Sequence, residues 1–118
     1  MPNPVVHFEI IGKDQKLLDG FYKDVFAWQL TPVMPIYSMV AKEEGGIAGG
    51  IGAFADTPDY VTVYIEVPDF EAAMNSIEAH GGKKLFGPQP IPDGTAVIGM
   101  FTDPEGHTLG LIQRTPKN

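Results

Sequence analysis

The sequence predicts an α+β fold built from two copies of one β-α-β-β-β module. Two observations lead to this prediction. First, short runs rich in β-branched residues surround only two stretches with helical periodicity, and 14 glycines and 11 prolines provide turns between them. Second, Asp69 lies 55 positions after Asp14 (69 − 14), and each aspartate stands between a predicted strand and a predicted helix. The chain therefore contains an internal repeat.

The first module begins with a strand at residues 5–11, which is rich in valine and isoleucine. Asp14 is the predicted N-cap of the following helix, because its carboxylate can accept hydrogen bonds from unpaired backbone N–H groups. Apolar residues then recur at the spacing of one helical face: Leu17, Leu18, Phe21, Tyr22 and Val25. Three short strands follow, at about residues 29–33, 37–41 and 47–53.

The second module starts after a linker at residues 56–59. Gly81 and Gly82 are expected to end its helix, since glycine takes the left-handed conformation without penalty. The proline-rich residues 86–94 are expected to form a loop, which either covers the mouth of a cavity or simply connects two strands. The other predicted elements are a strand at residues 61–67, a helix capped by Asp69, and strands at residues 83–86, 95–102 and 107–114.

The two modules are expected to form one domain over residues 1–118, with boundaries at about 4–55 and 59–114. A module of this size buries too little surface to fold alone, so the copies should share a core. We expect pseudo-twofold symmetry between them, with the sheet curved into a cup or half-barrel and the helices outside it.

Composition excludes several classes of function. The formal net charge is −7 and the eight basic residues are scattered, so neither a nucleic-acid-binding surface nor a surface for anionic membranes is predicted. There is no cysteine, which excludes disulfides and thiolate metal sites. No apolar run is long enough to cross a bilayer, and the opening residues lack the pattern of a signal peptide. A cytoplasmic location is therefore expected.

A series of local motifs follows the modules in order. They are Val6-His7-Phe8-Glu9-Ile10, Phe21-Tyr22, Phe26-Ala27-Trp28, Glu66-Val67-Pro68-Asp69, Ala72-Ala73, Gly81-Gly82, Phe101-Thr102-Asp103-Pro104-Glu105-Gly106 and Leu109-Gly110-Leu111-Ile112. Their order and spacing resemble the glyoxalase / bleomycin-resistance / extradiol-dioxygenase superfamily, also called vicinal oxygen chelate proteins, over nearly the whole chain. The chain is most similar to an uncharacterised glyoxalase-like branch with His-Phe-Glu-Ile near its start and a glycine-rich fourth strand.

The resemblance implies a metal site, but the residues of this chain argue against one. Enzymes of that superfamily bind a divalent metal through His, Gln or Glu side chains on the first, fourth, fifth and eighth strands. The first position falls on His7, and the fourth-strand position lies near Gly50. The other two fall on Thr62 and Gly110. Because a divalent site usually has three or more protein ligands, we expect no metal and no other cofactor.

The same positions define a candidate ligand site. His7 and Glu9 face the same side of their strand, and Thr62 and Tyr64 are their counterparts in the repeat. If the resemblance holds, these four residues line one cavity, with Gly50 and Gly110 at its floor or wall. His7 and Glu9 are also candidate catalytic residues, because an imidazole beside a carboxylate can transfer protons. They could equally form an inert hydrogen-bonded pair.

Three functions remain open. The first is a metal-free protein that binds, or weakly converts, a small and partly apolar molecule in the cup. The second is a metal-dependent lyase or dioxygenase of the glyoxalase I type, and the third is a non-catalytic interaction or stress protein. A homodimer is expected, since open curved sheets in a short chain leave apolar surface and strand edges to be covered.

Overall fold

The computed structural model describes residues 2–115, whose elements follow the predicted order of two β-α-β-β-β modules. The α+β class and the two modules are thus confirmed. Met1 and residues 116–118, which the predicted domain includes, lie outside the described residues. The elements are β1 (Val5–Gly12), α1 (Gln15–Phe26), β2 (Leu30–Met34), β3 (Tyr37–Val40), β4 (Ala48–Ala53), β5 (Tyr60–Glu66), α2 (Phe70–Ala79), β6 (Lys83–Pro90), β7 (Ala96–Thr102) and β8 (Thr108–Arg114).

The chain divides into two units with the same strand pairing. The first unit consists of residues 6–62, and the second of residues 63–115 with residues 2–5. Across the first unit the strand order is β2-β3-β4-β1, in which β1 and β4 are parallel and β3 is antiparallel to both neighbours. Across the second the order is β6-β7-β8-β5, again with a parallel pair at one end.

Both predicted helix caps are present. The Asp14 carboxylate accepts a hydrogen bond from the Leu17 backbone N–H at 3.1 Å. The Asp69 carboxylate accepts the equivalent bond from the Ala72 N–H at 3.0 Å. Each bond pairs one of the N–H groups that the first turn of a helix leaves without an internal partner. The repeat recognised in the sequence therefore places the N-termini of the two helices at equivalent positions.

The two helices pack differently against their sheets. On α2, Phe70 and Met74 are buried and form a core with Leu111 of β8 and two further apolar side chains. On α1 no residue is fully buried. The side chains that we expected to form its apolar face divide into two groups. Leu18 and Tyr22 are half-buried, whereas the exposed ones are Leu17, Phe21 and Val25.

A polar cluster beneath α1 explains this difference. The Gln15 amide donates hydrogen bonds to the Asp19 carboxylate and to the backbone oxygen of Ile51, both at 2.9 Å. The Ser38 hydroxyl, which is buried, donates to the other Asp19 oxygen at 2.7 Å. The first turns of α1 thus contact the sheet through hydrogen bonds rather than through apolar packing.

The proline-rich segment differs from its prediction. Residues 86–94 were expected to form a loop, but β6 continues to Pro90, and Gln89 and Pro90 pair with Ile98 and Val97 of β7. The ladder contains register shifts, and β6 lies at one end of the strand order of its unit. Proline is tolerated in such a strand, since its missing N–H then breaks no ladder bond on the outer side.

Candidate functional site

A largely buried polar group in the first unit surrounds Glu9. Strand β1 places His7 and Glu9 on one side, as predicted from their spacing. Glu9 is only 7% exposed, and its two carboxylate oxygens accept hydrogen bonds from the hydroxyls of Tyr37, at 2.8 Å, and Tyr60, at 2.6 Å. A buried carboxylate with a phenolic donor on each oxygen is well satisfied, because hydrogen bonds to carboxylates are stronger than those between neutral groups.

His7 adjoins this group. Its Nε2 lies 3.4 Å from the Tyr37 hydroxyl oxygen. Because Tyr37 uses its own proton toward Glu9, this contact is compatible with the tautomer that carries a proton on Nε2. His7 is partly exposed whereas Glu9 and Tyr37 are buried, so the imidazole is the part of the group nearest to solvent. We call His7, Glu9, Tyr37 and Tyr60 the Glu9 cluster.

Sequence reasoning did not include Tyr37 and Tyr60 in the site. Their hydrogen bonds to Glu9 join residues that are 28 and 51 positions apart. A signal for Tyr37 was nonetheless present, because a glycine-rich strand often marks a place where a bulky group approaches the backbone closely. For Tyr60, which directly precedes the predicted fifth strand, no comparable signal exists.

The strand glycines accommodate aromatic rings. A Cβ placed on Gly50 would overlap with the ring and hydroxyl of Tyr37, and one on Gly110 would overlap with the ring of Tyr64. The side-chain-free space beside each glycine is therefore filled by a tyrosine of the same unit. Gly50 also lies beside Glu9 in the β1–β4 ladder, and Gly110 beside Tyr64 in the β5–β8 ladder.

Thr62 and Tyr64 are both buried. Thr62 belongs to the first unit together with His7, Glu9 and Gly50, whereas Tyr64 and Gly110 belong to the second. The grouping of all six residues around one cavity stays a prediction.

The environment of Tyr60 has a consequence for stability at high pH. Burial, together with the hydrogen bond to Glu9 and its charge, raises the pKa of the Tyr60 hydroxyl above its usual value of about 10. Above pH 10 the unfolded chain releases this proton while the folded chain retains it. The stabilisation that the raised pKa reflects is therefore complete below pH 10 and is lost as the pH rises further. We expect Tyr60→Phe to reduce this loss between about pH 9.5 and 11, measured by urea unfolding. Tyr22→Phe, outside the cluster, is the control, and an equal reduction in both variants would contradict the assignment.

Comparison with known proteins identifies the family. The model of the Glyoxalase/Bleomycin resistance protein/Dioxygenase superfamily matches residues 5–111. The chain therefore belongs to this superfamily, as its motifs indicated.

Relatives of known name resemble parts of the chain. It is 34% identical over 70 residues to lactoylglutathione lyase GLX1 of Arabidopsis thaliana, a match that covers 59% of this chain and 22% of the plant protein. It is also 34% identical over 55 residues to a probable lactoylglutathione lyase of Synechocystis sp., covering 47% of this chain and 42% of that protein. The chain thus spans about a fifth of the plant relative's length and less than half of the cyanobacterial one.

Solved structures agree in fold. Methylmalonyl-CoA epimerase from Mycobacterium tuberculosis superposes with a TM-score of 0.73 at 14% identity, over 95% of this chain and 88% of that chain. A superfamily member from Vibrio splendidus superposes with a TM-score of 0.69 at 17% identity, over 94% and 98% of the two chains. At this level of identity the likeness establishes the fold alone.

The metal that the superfamily implies does not fit the side chains of this protein. Of the four ligand positions that the resemblance implies, one is Gly110 and another lies near Gly50, and tyrosine rings occupy the place in which a side chain at either glycine would begin. A third is the hydroxyl of Thr62, and divalent metals in such sites favour imidazole and carboxylate ligands. Within residues 2–115, no three or more His, Asp or Glu side chains come together as a metal-binding group.

Neither helix of the described chain is long and apolar enough to cross a membrane.

Proposed function

We propose that this chain is a cytoplasmic protein that binds a small, partly apolar molecule beside the Glu9 cluster, without a metal ion. The observation that carries the proposal is the buried Glu9 carboxylate held by two tyrosine hydroxyls, with the partly exposed His7 imidazole against one of them. Such a hydrogen-bonded polar group, with Phe54 stacked on the Tyr37 ring, is typical of the few oriented polar contacts in a ligand site.

The arrangement supports binding better than proton transfer by Glu9. Each Glu9 oxygen already accepts a hydrogen bond from a tyrosine. Glu9 is also buried, so a substrate would have to displace the side chains around the carboxylate before its proton could reach it. His7 is the more accessible partner for a ligand. We therefore assign His7 to ligand contact, and Glu9 to fixing the Tyr37 hydroxyl against which His7 lies.

The test is a thermal-shift screen of small aldehydes, aromatic acids and hydrophobic antibiotics. A ligand that binds only the native state raises the melting temperature by mass action. For each hit, His7→Ala should weaken binding about 2- to 10-fold, corresponding to the loss of one neutral hydrogen bond of about 0.5–1.5 kcal/mol. His107→Ala is the matched control, because His107 is an exposed histidine paired with Asp103 in the other unit. Hits whose affinities are unchanged by His7→Ala would overturn the assignment.

A second arm of the same experiment distinguishes the metal-dependent alternative from metal-free binding. The names of the plant and cyanobacterial relatives favour a lyase, whereas the ligand positions of this chain do not. The purified protein is expected to show no thermal shift with Zn²⁺, Ni²⁺, Mn²⁺ or Fe²⁺. A thermal shift with one of these ions that disappears in His7→Ala would show that His7 contributes to a metal site. The metal-dependent alternative would then replace the metal-free proposal.

We also propose a homodimer. Leu17, Phe21 and Val25 of α1 expose 68%, 53% and 57% of their surface on one helical face, which is more apolar surface than isolated exposed residues explain. Light scattering at micromolar concentration tests this proposal, and a monomer mass would contradict it. The third possibility, an interaction protein without a ligand, is favoured if the mass is that of a dimer and the screen gives no hit.

A further inference from the structure

A concave site lies in the first unit, on the other side of β1 from Glu9. Strand residues alternate in direction, so Phe8 projects away from the side that carries His7 and Glu9. Phe8 and Trp28 line a cavity of about 250 Å³, together with the apolar side chains of Val40 and Ile47. None of these residues belongs to the Glu9 cluster.

The aromatic walls of this cavity are held in place by their neighbours. The Trp28 indole stacks on Tyr22 of α1, with ring centres 5.0 Å apart and planes inclined by 11°. The Phe8 ring meets Trp28 at 5.2 Å and 52°. Phe8 also lies over Gly49, where any Cβ would overlap with its ring. The walls are therefore formed before any ligand arrives.

Local backbone conformation directs Trp28 to this position. The C-cap of helix α1 is Ala27, which takes the left-handed conformation with φ of 60° and donates its N–H to the Lys23 oxygen at 2.9 Å. This reversal turns the chain back along the helix, so that Trp28 reaches Tyr22. A non-glycine residue in this conformation is uncommon and is maintained only when the surrounding structure supports it.

Among the described residues that line the cavity, Glu43 is the charged one. Glu43 begins a turn in which the Gly46 N–H donates to the Glu43 oxygen at 2.9 Å and Gly45 has a φ of 81°. Its sequence neighbours Lys42 and Glu44 do not line the cavity. The lining thus combines two aromatic residues, aliphatic residues and one acidic residue, in a chain with a net charge of −7.

We propose that this cavity binds a small organic cation, such as a trimethylammonium group. The negative faces of aromatic rings attract cations, most strongly at tryptophan, and organic ammonium groups are recognised by such rings in proteins. Glu43 adds an opposite charge, while the apolar walls disfavour strongly hydrated metal ions. The volume lies below the range of drug-sized ligand pockets, so the site suits a single ammonium head group.

Trp28 is the one tryptophan of the chain, so its fluorescence reports directly on this cavity. The experiment titrates the full chain with choline and, in parallel, with 3,3-dimethyl-1-butanol, the neutral molecule of the same shape. We expect a saturable change in fluorescence with choline and at least about threefold weaker binding of the alcohol, from a cation–aromatic contribution of about 0.7 kcal/mol or more. Choline binding should also weaken at high salt.

Two matched variants distinguish binding of choline at this cavity from non-specific attraction to the negatively charged surface. Glu43→Gln should weaken choline binding and leave the alcohol unchanged, whereas Glu44→Gln should change neither. Both positions are exposed, so both variants are expected to fold. No saturable change in Trp28 fluorescence, equal affinity for the two molecules, or an equal effect of the two glutamine variants would each overturn the proposal.

Discussion

Gly50→Ala is expected to lower the free energy of unfolding by about 3 kcal/mol, the upper part of the range for overpacked interiors. The new Cβ would overlap with the ring and hydroxyl of Tyr37, which is itself buried. Relief requires the Tyr37 side chain to move, and movement breaks its 2.8 Å hydrogen bond to Glu9. The same change should therefore also reduce any ligand binding that depends on the Glu9 cluster. Urea unfolding measures the first effect.

Gly20→Ala is the matched control for this prediction. Gly20 lies inside α1, and a Cβ there would have no neighbour within 4 Å. Alanine is favoured over glycine in a helix interior, so this variant should gain about 1 kcal/mol. The same chemical change is thus expected to have opposite signs at the two positions.

A double-mutant cycle identifies the cause of the Gly50 effect. In a Tyr37→Leu background, no side-chain atom reaches the place of the tyrosine hydroxyl, so the added cost of Gly50→Ala should be much smaller. Strict additivity of the two changes would show that Tyr37 does not fill the space beside Gly50. That outcome would favour the prediction that Gly50 lies at the floor or wall of a cavity.

Local signals in the sequence predicted the fold well. Asp14 and Asp69 are caps whose hydrogen bonds reach only three residues ahead, so their effect is visible in a short segment. The glycine after α2 acts equally locally, since Gly81 takes a φ of 99° just beyond the helix. The order of the elements followed from the repeat. Pro88 and Pro90 misled the prediction of β6, because their effect depends on whether a strand lies at the edge of a sheet.

The candidate site could be predicted only in part. The resemblance pointed to His7, and the spacing of two residues on β1 placed Glu9 on the same side. Tyr37 and Tyr60 were missed because their contacts with Glu9 depend on the pairing of distant segments. The glycines were recognised as special positions, but a sequence does not tell whether a ligand or a neighbouring ring occupies the space they leave.

The repeat also conceals a chemical difference between the modules. Gln15 and Asp19 stand at the helix positions that Phe70 and Met74 occupy one repeat later. The strand residues that face these helix positions also differ in polarity between the modules. Buried Ser38, paired with Ile51, bonds to Asp19 in the first unit, whereas Gly99, paired with Leu111, lies under the Phe70 ring in the second. The second module therefore holds its helix by apolar packing, and the first by hydrogen bonds.

Phe70→Ala should accordingly be among the most damaging single changes in the chain, with a loss of about 3–5 kcal/mol. Phe70 is 2% exposed and packs into the core with Met74 and Leu111. Its ring also fills the space over Gly99, where a Cβ would come within 2.5 Å of it. Truncation removes apolar contacts and leaves a cavity that glycine on the facing strand does not fill. Denaturant unfolding at constant pH measures the loss.

Phe21→Ala makes the same chemical change on the other helix and is the control. Phe21 is 53% exposed, so its truncation should cost less than about 1 kcal/mol in the monomer. If Phe21→Ala were instead as damaging as Phe70→Ala, and its effect grew with protein concentration, the α1 face would be part of a stabilising interface between copies. If the two changes were equally damaging at every protein concentration, the conclusion that the two helices pack differently would be wrong. A small loss at Phe70 would contradict the core assigned to the second unit.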